Sequence, residues 1–447
     1  MGYKVYAGKT AYLLASDFDI VPSFENGKFT TQGFYWTEKE LIYDSNGDSV
    51  TGEEPGKILI DPTLSRKKNE YGSFECTIPE AVETMDGGVI RNPLYGKAEP
   101  YQTTIMVEED GKPIWAGYVR EVERDFDRNE KIYAEGALGQ LGWWSTGFDE
   151  TEYKGLMSGS ESLLYDLIHN QTGRFESPFG QFALGMVTIP EPGYVKTDQG
   201  FVAGTLWDYL NSRFLDEYDG YLRMRIVKSD DTYSDKLTAD PYIYAIVVDY
   251  LVDIPEETKQ KIEYGVNLLD LTYLRQITSN MVGAVTAWWT KTVKKGWWIF
   301  KTATSERNSY TVTSDRWPKG VPLVEKAITL SGDNITEAEA KKKAEEELAN
   351  YDHEIEPELT VKAFDQVDAG VATDRIGFLK KTHILSKPHG IDLHLVCTEE
   401  SLPLAEPDNK TFTYGLPPKK LTDTSKMAMV NTLVNEHRVD GIVDCLK

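Results

Sequence analysis

Cysteine is scarce in this chain of 447 residues, which contains only Cys76, Cys397 and Cys445. The three lie far apart and cannot all pair, and none belongs to a CxxC motif or to a Cys/His group with zinc-ligand spacing. Neither a disulfide framework nor a zinc site is therefore indicated. We expect the three side chains to be small buried groups in a protein that is made in a reducing cytoplasm.

Positive charge and long apolar runs are also scarce. The chain has 48 Lys and Arg residues against 72 Asp and Glu residues, a formal net charge of −24. No basic stripe is visible, so tight binding to nucleic-acid phosphates is not expected. No signal peptide and no apolar run of about 18 residues is present, so neither export by a signal of its own nor stable membrane insertion is expected. The acidic excess either serves solubility or forms a repulsive lining along which DNA slides.

Motifs for catalysis and cofactor binding are lacking as well. Residues 8–10 (GKT) resemble the end of a phosphate-binding loop, but Tyr3 stands where that loop needs its first glycine. His383, His389 and His394 fall before, within and after one turn, so we expect turn and surface histidines and no metal site. The hydrolase motifs HExxH and GxSxG do not occur. We therefore predict that the chain is not an enzyme and has no catalytic, cofactor-binding or metal-binding residue.

Aromatic residues are abundant, and their arrangement indicates β-structure. Hydrophobic residues make up 40% of the chain and aromatic residues 11%, with 25 tyrosines, a composition typical of a folded, sheet-rich protein. Within Ile114–Val122 the alternation of apolar and polar residues fails, which predicts a β-bulge or burial on both faces. Residues 109–111 (EDG) predict a tight hairpin turn. In the first third of the chain, short apolar segments between turn residues predict strands at 57–62, 72–79, 103–107, 113–122 and 131–138.

Helical patterns are fewer and lie in the middle and later parts of the chain. Ser160 is suited to cap one helix and a second begins near Thr205, each with apolar residues at i, i+3, i+4 spacing. A third helix is predicted over Glu337–Tyr351, where Thr336 and Glu339 form a capping box. Its apolar stripe is narrow, so this helix should lie flat on a sheet.

Two tryptophan pairs flank a lysine-containing turn of a predicted hairpin. Cross-strand aromatic packing within a sheet accounts for them without any further role. The alternative is contact with a host surface, because tryptophan beside lysine suits a membrane or wall-sugar interface. The candidate residues for this contact are Trp288, Trp289, Trp297 and Trp298.

The last residues contain a short apolar repeat. Met427, Val430 and Val434 have coiled-coil spacing over fewer than two heptads, which is too short to form a stable helix alone in water. They are therefore candidates for a contact within a trimer or with another protein.

Three segments carry a longer pattern. Tyr71–Leu141 contains YGSFECTIPE, NPLY, the EDG turn and an EGALGQLG end. Thr205–Val285 contains TLWDYLNSRFLDEYDGYLRMR and IEYGVNLLDL. Thr360–Gly415 contains a KPHG turn, an alternating strand from Ile391 and a final YG. In their content and order, these segments resemble the tail hub (tail-associated, baseplate hub) proteins of long-tailed bacteriophages.

This resemblance implies a β-rich α+β fold with two β-barrels of the tail-tube type, a helical middle domain and a small α/β layer. The second barrel need not be continuous in sequence. The implied domains are a first barrel at 1–147, a helical middle domain at 148–261, a second barrel with the α/β layer (helix 337–351) at 262–415, and a C-terminal extension at 416–447.

The resemblance also implies a structural virion protein at the tail tip. Three subunits would form a ring whose six barrels match the six-fold tube, closing the tube and forming the channel for DNA release into the host. Its implied partners are two further copies, the distal tail protein, the tape measure protein and receptor-binding or fibre proteins. DNA would pass transiently without specific binding, and assembly would take place in the host bacterial cytoplasm.

Two other functions remain open. One is the hub of a phage-tail-like bacteriocin or injection particle, which has the same fold but passes no DNA. The other is a tail-tip carbohydrate-binding protein that uses the tryptophan pairs. Neighbouring genes distinguish the first from a phage hub, and glycan binding by the monomer distinguishes the second.

Overall fold

A computed structural model describes most of the chain. The chain divides into two units by contact density: unit 1 is Met1–Leu271 with Val361–Tyr414, and unit 2 is Thr272–Thr360 with Gly415–Lys447. None of the helices that the structure describes is long and apolar enough to cross a membrane. The described residues are 2–13, 22–25, 27–28, 31–46, 56–83, 87–149, 152–153, 162–174, 176–188, 201–215, 218, 220–252, 254, 256–275, 281–295, 302–331, 335–349, 351, 357–371 and 374–415.

Strands dominate the fold, so the prediction of a β-rich α+β protein is confirmed. The predicted strands at 72–79, 103–107, 113–122 and 131–138 are present with ends shifted by a few residues, whereas the one predicted at 57–62 begins later. In chain order the strands are β1 (Tyr3–Tyr12), β2 (Phe34–Asp44), β3 (Ile60–Lys67), β4 (Ser73–Pro79), β5 (Ala81–Glu83), β6 (Val89–Arg91), β7 (Thr104–Glu109), β8 (Lys112–Arg124), β9 (Asn129–Gly136), β10 (Ser145–Asp149), β11 (Ala183–Val187), β12 (Phe201–Thr205), β13 (Tyr221–Lys228), β14 (Ile243–Leu251), β15 (Glu257–Glu263), β16 (Leu268–Arg275), β17 (Ala284–Lys295), β18 (Thr302–Thr313), β19 (Glu325–Leu330), β20 (Pro357–Ala363), β21 (Lys381–Ser386), β22 (Ile391–Pro403) and β23 (Thr411–Tyr414).

Helices are short. They are α1 (Leu163–Tyr165), which continues as a π-helical turn (Asp166–Asn170), α2 (Leu206–Leu210), which continues likewise (Asn211–Leu215), and α3 (Glu337–Leu348). Short 3₁₀ turns lie at Ala137–Gly142, Thr172–Arg174, Lys387–His389 and Pro407–Asn409.

Side-chain caps fix where the helices begin. Thr205 caps α2 by accepting a hydrogen bond from the Asp208 amide, and Thr336 and Glu339 form the predicted capping box of α3. The cap of α1 is Ser162, whose Oγ accepts from the Tyr165 amide at 3.0 Å. The predicted cap, Ser160, lies outside the described residues.

The main sheet of unit 1 joins distant parts of the chain. Its hydrogen-bonded order runs β11-β14-β2-β1-β7-β8-β9-β4-β3-β22-β23, with β13 on β14, β21 on β22 and β15 on β21. The pairs β11–β14 and β15–β21 are parallel, whereas the other pairs with a described register in this sheet are antiparallel. In strand β22, the first half therefore pairs with β21 and the second half with β3 and β23.

Two local predictions in the β7–β8–β9 region are confirmed. Asp110 and Gly111 both have positive φ, 51° and 77°, as a tight two-residue hairpin turn requires. Strand β8 shifts register between Val119 and Glu121, and every residue of Trp115–Val119 is buried. Apolar and polar residues do not alternate here because the strand contains a bulge and is buried on both of its faces.

A charge network holds the later part of unit 1 to the β7–β8 turn. The Arg375 guanidinium contacts Glu109 Oε1 at 3.4 Å, Asp110 Oδ2 at 3.1 Å and Asp368 Oδ1 at 2.7 Å. Lys410 donates to Asp368 Oδ2 at 2.9 Å. Burial raises the pKa of Asp368, but the hydrogen bonds from Lys410 and Arg375 outweigh it, so the pKa lies below the usual Asp value.

Breaking this network should destabilise unit 1 in a pH-dependent way. We expect Arg375→Gln to lower the free energy of unfolding by about 3 kcal/mol at pH 7, because it leaves largely buried carboxylates without their cation. Because the pKa of Asp368 is lower in the folded protein, its ionised carboxylate stabilises the fold at pH values above the unfolded pKa of about 3.9. This stabilisation is lost as the pH falls through the folded pKa. The difference between the two proteins, measured by urea unfolding, should therefore shrink below about pH 4.

The matched control is Lys342→Gln. Lys342 forms an exposed pair with Glu346 at 3.8 Å on α3, so this change should cost less than about 0.5 kcal/mol. Equal losses for the two variants, or a loss from Arg375→Gln that does not change with pH, would contradict a stabilising role of the network.

Candidate functional site

The tryptophan-bearing hairpin is a sheet of unit 2 covered by a helix. Strand β17 pairs antiparallel with β18 and parallel with β19. Successive residues of a strand point to opposite faces, so every second side chain of β17 faces α3. These side chains belong to one apolar cluster. This cluster contains Val282, Val285, Ala287 and Trp289 together with Ala340, Ala344 and Leu348 of α3. The prediction that the helix lies flat on a sheet is confirmed.

Adjacent tryptophans of β17 have different environments. Trp289 lies in the helix-covered core and is 6% exposed, whereas Trp288, on the opposite face, is 38% exposed. Trp297 and Trp298 lie outside the described residues. Of the candidate host-contact residues that are described, Trp288 therefore has the larger accessible surface.

The candidate contact residues near the C-terminus, Met427, Val430 and Val434, also lie outside the described residues, which end at Gly415. Their role in a trimer or partner contact stays a prediction.

The predicted turn histidines form a paired arrangement on the sheet. His383 and His394 are directly opposite each other in β21 and β22, and their rings stack with centroids 4.3 Å apart and planes 5° from parallel. His383 Nε2 lies 2.7 Å from Asp392 Oδ1, and His394 Nδ1 lies 2.8 Å from Glu257 Oε1. Each ring therefore directs a nitrogen to a different carboxylate. Among the residues that the structure describes, no group of three or more His, Cys, Asp or Glu side chains is arranged to hold a metal ion.

An exposed apolar patch beside the KPHG turn was not predicted. Tyr264, Val266 and Leu269 are 54%, 64% and 61% exposed. Tyr264 packs edge-on against the His389 ring at 5.7 Å, and its amide donates to the Leu385 carbonyl at 3.0 Å. Residues 265–267 form a turn between β15 and β16, and Val266 in this turn faces outwards.

Several acidic residues lie inside the fold with arginine partners. Asp249 is fully buried, and its Oδ2 accepts from Arg223 Nε at 2.9 Å and Arg225 Nε at 2.8 Å. Glu130 is 1% exposed and accepts two hydrogen bonds from Arg124, at 2.8 and 2.7 Å. These carboxylates stabilise strand pairs and are fully engaged, so they do not resemble a catalytic acid–base pair.

The cysteines that the structure describes are buried, as predicted. Burial raises the pKa of the Cys76 thiol to about 12 and also raises that of Cys397. Both thiols are therefore protonated near neutral pH and are weak nucleophiles. Cys445 lies outside the described residues.

Comparison with known proteins gave matches among solved structures alone. No family model and no curated protein matches the chain. Its fold is similar to that of a 43 kDa tail protein of prophage MuSo2 from Shewanella oneidensis, with 12% identity, a TM-score of 0.45, and coverage of 82% of this chain and 97% of that one. A prophage tail protein, gp18, from Listeria monocytogenes has 12% identity and a TM-score of 0.41, over 97% and 99% of the two chains. A tail protein from Neisseria meningitidis has 13% identity and a TM-score of 0.45, over 93% and 96%.

The two described tryptophans should respond differently to truncation. We expect Trp289→Ala to lower the free energy of unfolding of unit 2 by about 3–5 kcal/mol, because it removes a large side chain from the core beneath α3. Trp288→Ala should cost clearly less, about 1 kcal/mol, because part of that side chain is already in water. Urea unfolding followed by far-ultraviolet circular dichroism measures both. Similar losses for the two variants would show that the strand faces are assigned incorrectly.

Proposed function

We propose that this chain is a structural protein of a bacteriophage tail tip. It acts there as a hub subunit, and three copies form the ring that closes the tail tube and provides the channel for DNA release. The observation that carries this proposal is the placement of the three segments that resemble hub proteins. Although they are far apart in sequence, they are neighbours in one sheet of unit 1.

Backbone pairings link these segments, the third to the second directly and to the first through β3, which precedes the first segment. From the third segment, β22 pairs with β3 through Glu399–Pro403 and Thr63–Lys67, and β3 pairs with β4 of the first segment. On its other side, β22 pairs with β21, which pairs in parallel with β15, with Ile262 opposite Ile384. The three segments, which resemble hub proteins in the same order along the chain, thus form a contiguous part of the structure. This is expected if the resemblance reflects the whole fold and not a chance motif.

The two proposed barrels use different parts of this sheet. Strands β1, β7, β8, β9, β4 and β3 supply the wall of the first, and β21, β22 and β23 belong to the second. Three such subunits give six barrels around a central axis, because a closed ring with three-fold symmetry repeats each pair of barrels three times. We further propose that acidic side chains line the channel and keep DNA mobile by repulsion.

The proposed partners follow from this position in the particle. They are the distal tail protein, the tape measure protein and receptor-binding or fibre proteins, and assembly takes place in the host cytoplasm before the virion is released. A tail-like bacteriocin needs the same ring, so the presence of capsid and portal genes beside this gene is what identifies a phage.

Of the described tryptophans among Trp288, Trp289, Trp297 and Trp298, Trp288 suits the carbohydrate-binding alternative better than Trp289. Its neighbour Trp289 is enclosed by α3, whereas Trp288 has a ring surface on which a sugar can stack. Binding of wall glycan by the monomer that is lost in Trp288→Ala would favour this alternative.

A ring-shaped trimer is the first testable consequence. Purified protein should have three times the chain mass of 50.5 kDa by light scattering and should appear as a ring with a central opening in negative-stain images, because the proposed hub acts as a closed ring. A monomer at all accessible concentrations, with no ring in the images, would contradict the proposal.

The C-terminal residues provide a second test. A chain that stops after Gly415 should form fewer trimers than the full chain at equal concentration, because it lacks the apolar repeat proposed to lie between subunits. Full-length protein with Met427, Val430 and Val434 all changed to Ala should behave in the same way, whereas a triple Ala variant at Lys341, Lys342 and Lys343 on the exposed side of α3 should not. An unchanged trimer mass in both C-terminal variants would exclude this role.

A further inference from the structure

A cavity of about 190 Å³ lies within unit 1. It is on one face of the sheet formed by β2, β1, β7, β8, β9 and β4, beneath the loop between β6 and β7 that carries Leu94 and Ala98. The exposed side chains of Lys9 and Lys97 stand at its rim. Its floor continues the hydrophobic core and consists of buried apolar side chains from five strands: Ile42, Cys76, Ile78, Ile105, Val119 and Ile132.

The polar side chains around this floor are already engaged. The hydroxyl of Thr103, which is buried in the lining, accepts a hydrogen bond from the Glu99 amide at 2.9 Å. Each lysine of the lining is paired with a carboxylate: Lys9 with Glu99, Lys39 with Asp240 and Lys97 with Glu40. The lining therefore has no lysine free to hold an anionic ligand. A buried water needs about two to four polar partners, and the apolar floor does not supply them.

Both sides of the cavity are fixed by hydrogen bonds. The strands beneath it are joined by continuous backbone pairing. In the loop above it, the Gly96 amide donates to Glu130 Oε2 at 2.7 Å, and the Leu94 amide donates to Asn92 Oδ1 at 3.0 Å. The walls are thus held apart and lose dispersion contacts, which an apolar molecule of the right size restores.

The volume of the cavity matches a small ring. An apolar cavity of about 150 Å³ in another protein takes up benzene. At about 190 Å³, the present cavity has room for a molecule of about six to eight non-hydrogen atoms. Drug-sized ligands occupy pockets of about 300–1,000 Å³, so they are too large for it.

We propose that this cavity is a binding site for a small neutral apolar molecule, either an aromatic ring or a branched hydrocarbon of that size. Burial of its apolar surface drives binding. A charged relative is rejected, because its charged group loses hydration on entry and gains no free partner. The inference does not rest on the proposed hub function, since all residues of the site belong to one chain.

Thermal unfolding of the full-length protein tests the class of ligand. Benzene, added in steps until the effect saturates, should raise the melting temperature of unit 1 by about 2–4 °C, because it binds the folded state alone. Benzoate has the same ring with a carboxylate and should have no effect at equal concentrations. An unchanged melting temperature with benzene, or an equal rise with benzoate, would overturn the proposal.

Cavity-filling variants locate the site. Ala98→Phe adds a ring from the loop, and Cys76→Met extends the floor, so each should weaken benzene binding at least about 10-fold by occupying the same apolar surface. Ala81→Phe places the same ring on an exposed position of β5 and should leave the affinity unchanged. Circular dichroism verifies that each variant is folded. Full affinity in a folded cavity-filling variant, or its loss in the Ala81→Phe control, would contradict the assignment.

Methyl NMR identifies the residues that touch the ligand. In protein labelled with ¹³C at the isoleucine δ1 methyl groups, the ring current of bound benzene should shift the signals of the floor residues Ile42, Ile78, Ile105 and Ile132. The signals of Ile246 and Ile384, which are buried elsewhere in unit 1, should stay in place. Shifts confined to these two control residues would place benzene at another site and overturn the proposal.

Discussion

The fold depends on the pairing of a late strand with an early one. Strand β22 adds to β3 by antiparallel pairing through Glu399–Pro403, so the sheet begun near the N-terminus is extended only when nearly the whole described chain is present. The pairing is reinforced by the Arg66–Glu400 ion pair, whose partners are 334 residues apart and whose Nε–Oε2 distance is 2.9 Å. Glu400 is 3% exposed. Since an unpaired buried carboxylate is costly, this pair penalises any register but the native one.

The same reasoning explains how a chain of such negative charge folds. Several of its buried acids lie where a strand brings an arginine to them, as at Asp249 with Arg223 and Arg225. Arg375 does this for residues from two distant regions, Glu109 and Asp368. Arginine suits this task because its planar group donates to several carboxylates at once. An ion pair adds nothing to the net charge, so the formal excess of −24 is carried by acidic residues outside these pairs.

Local features could be predicted from the sequence, whereas the pairing of strands and the face on which each side chain lies could not. The capping box at Thr336 and Glu339 and the turn at Asp110-Gly111 were predictable because each depends on a few adjacent residues. The adjacent tryptophans of β17 could not be assigned in this way. A strand places neighbours on opposite faces, but only the position of α3 decides which of the two is buried. The stacked His383–His394 pair likewise depends on the register of β21 against β22, which the residues of a single strand do not contain.

The exposed apolar residues show most clearly what sequence patterns omit. A pattern of alternating apolar residues indicates a core, because burial of apolar surface is the main driving force of folding. Phe126 and Val266 are apolar but lie in turns, where no core of their own copy can cover them. Scattered exposed apolar side chains are common on protein surfaces, so exposure alone assigns no role.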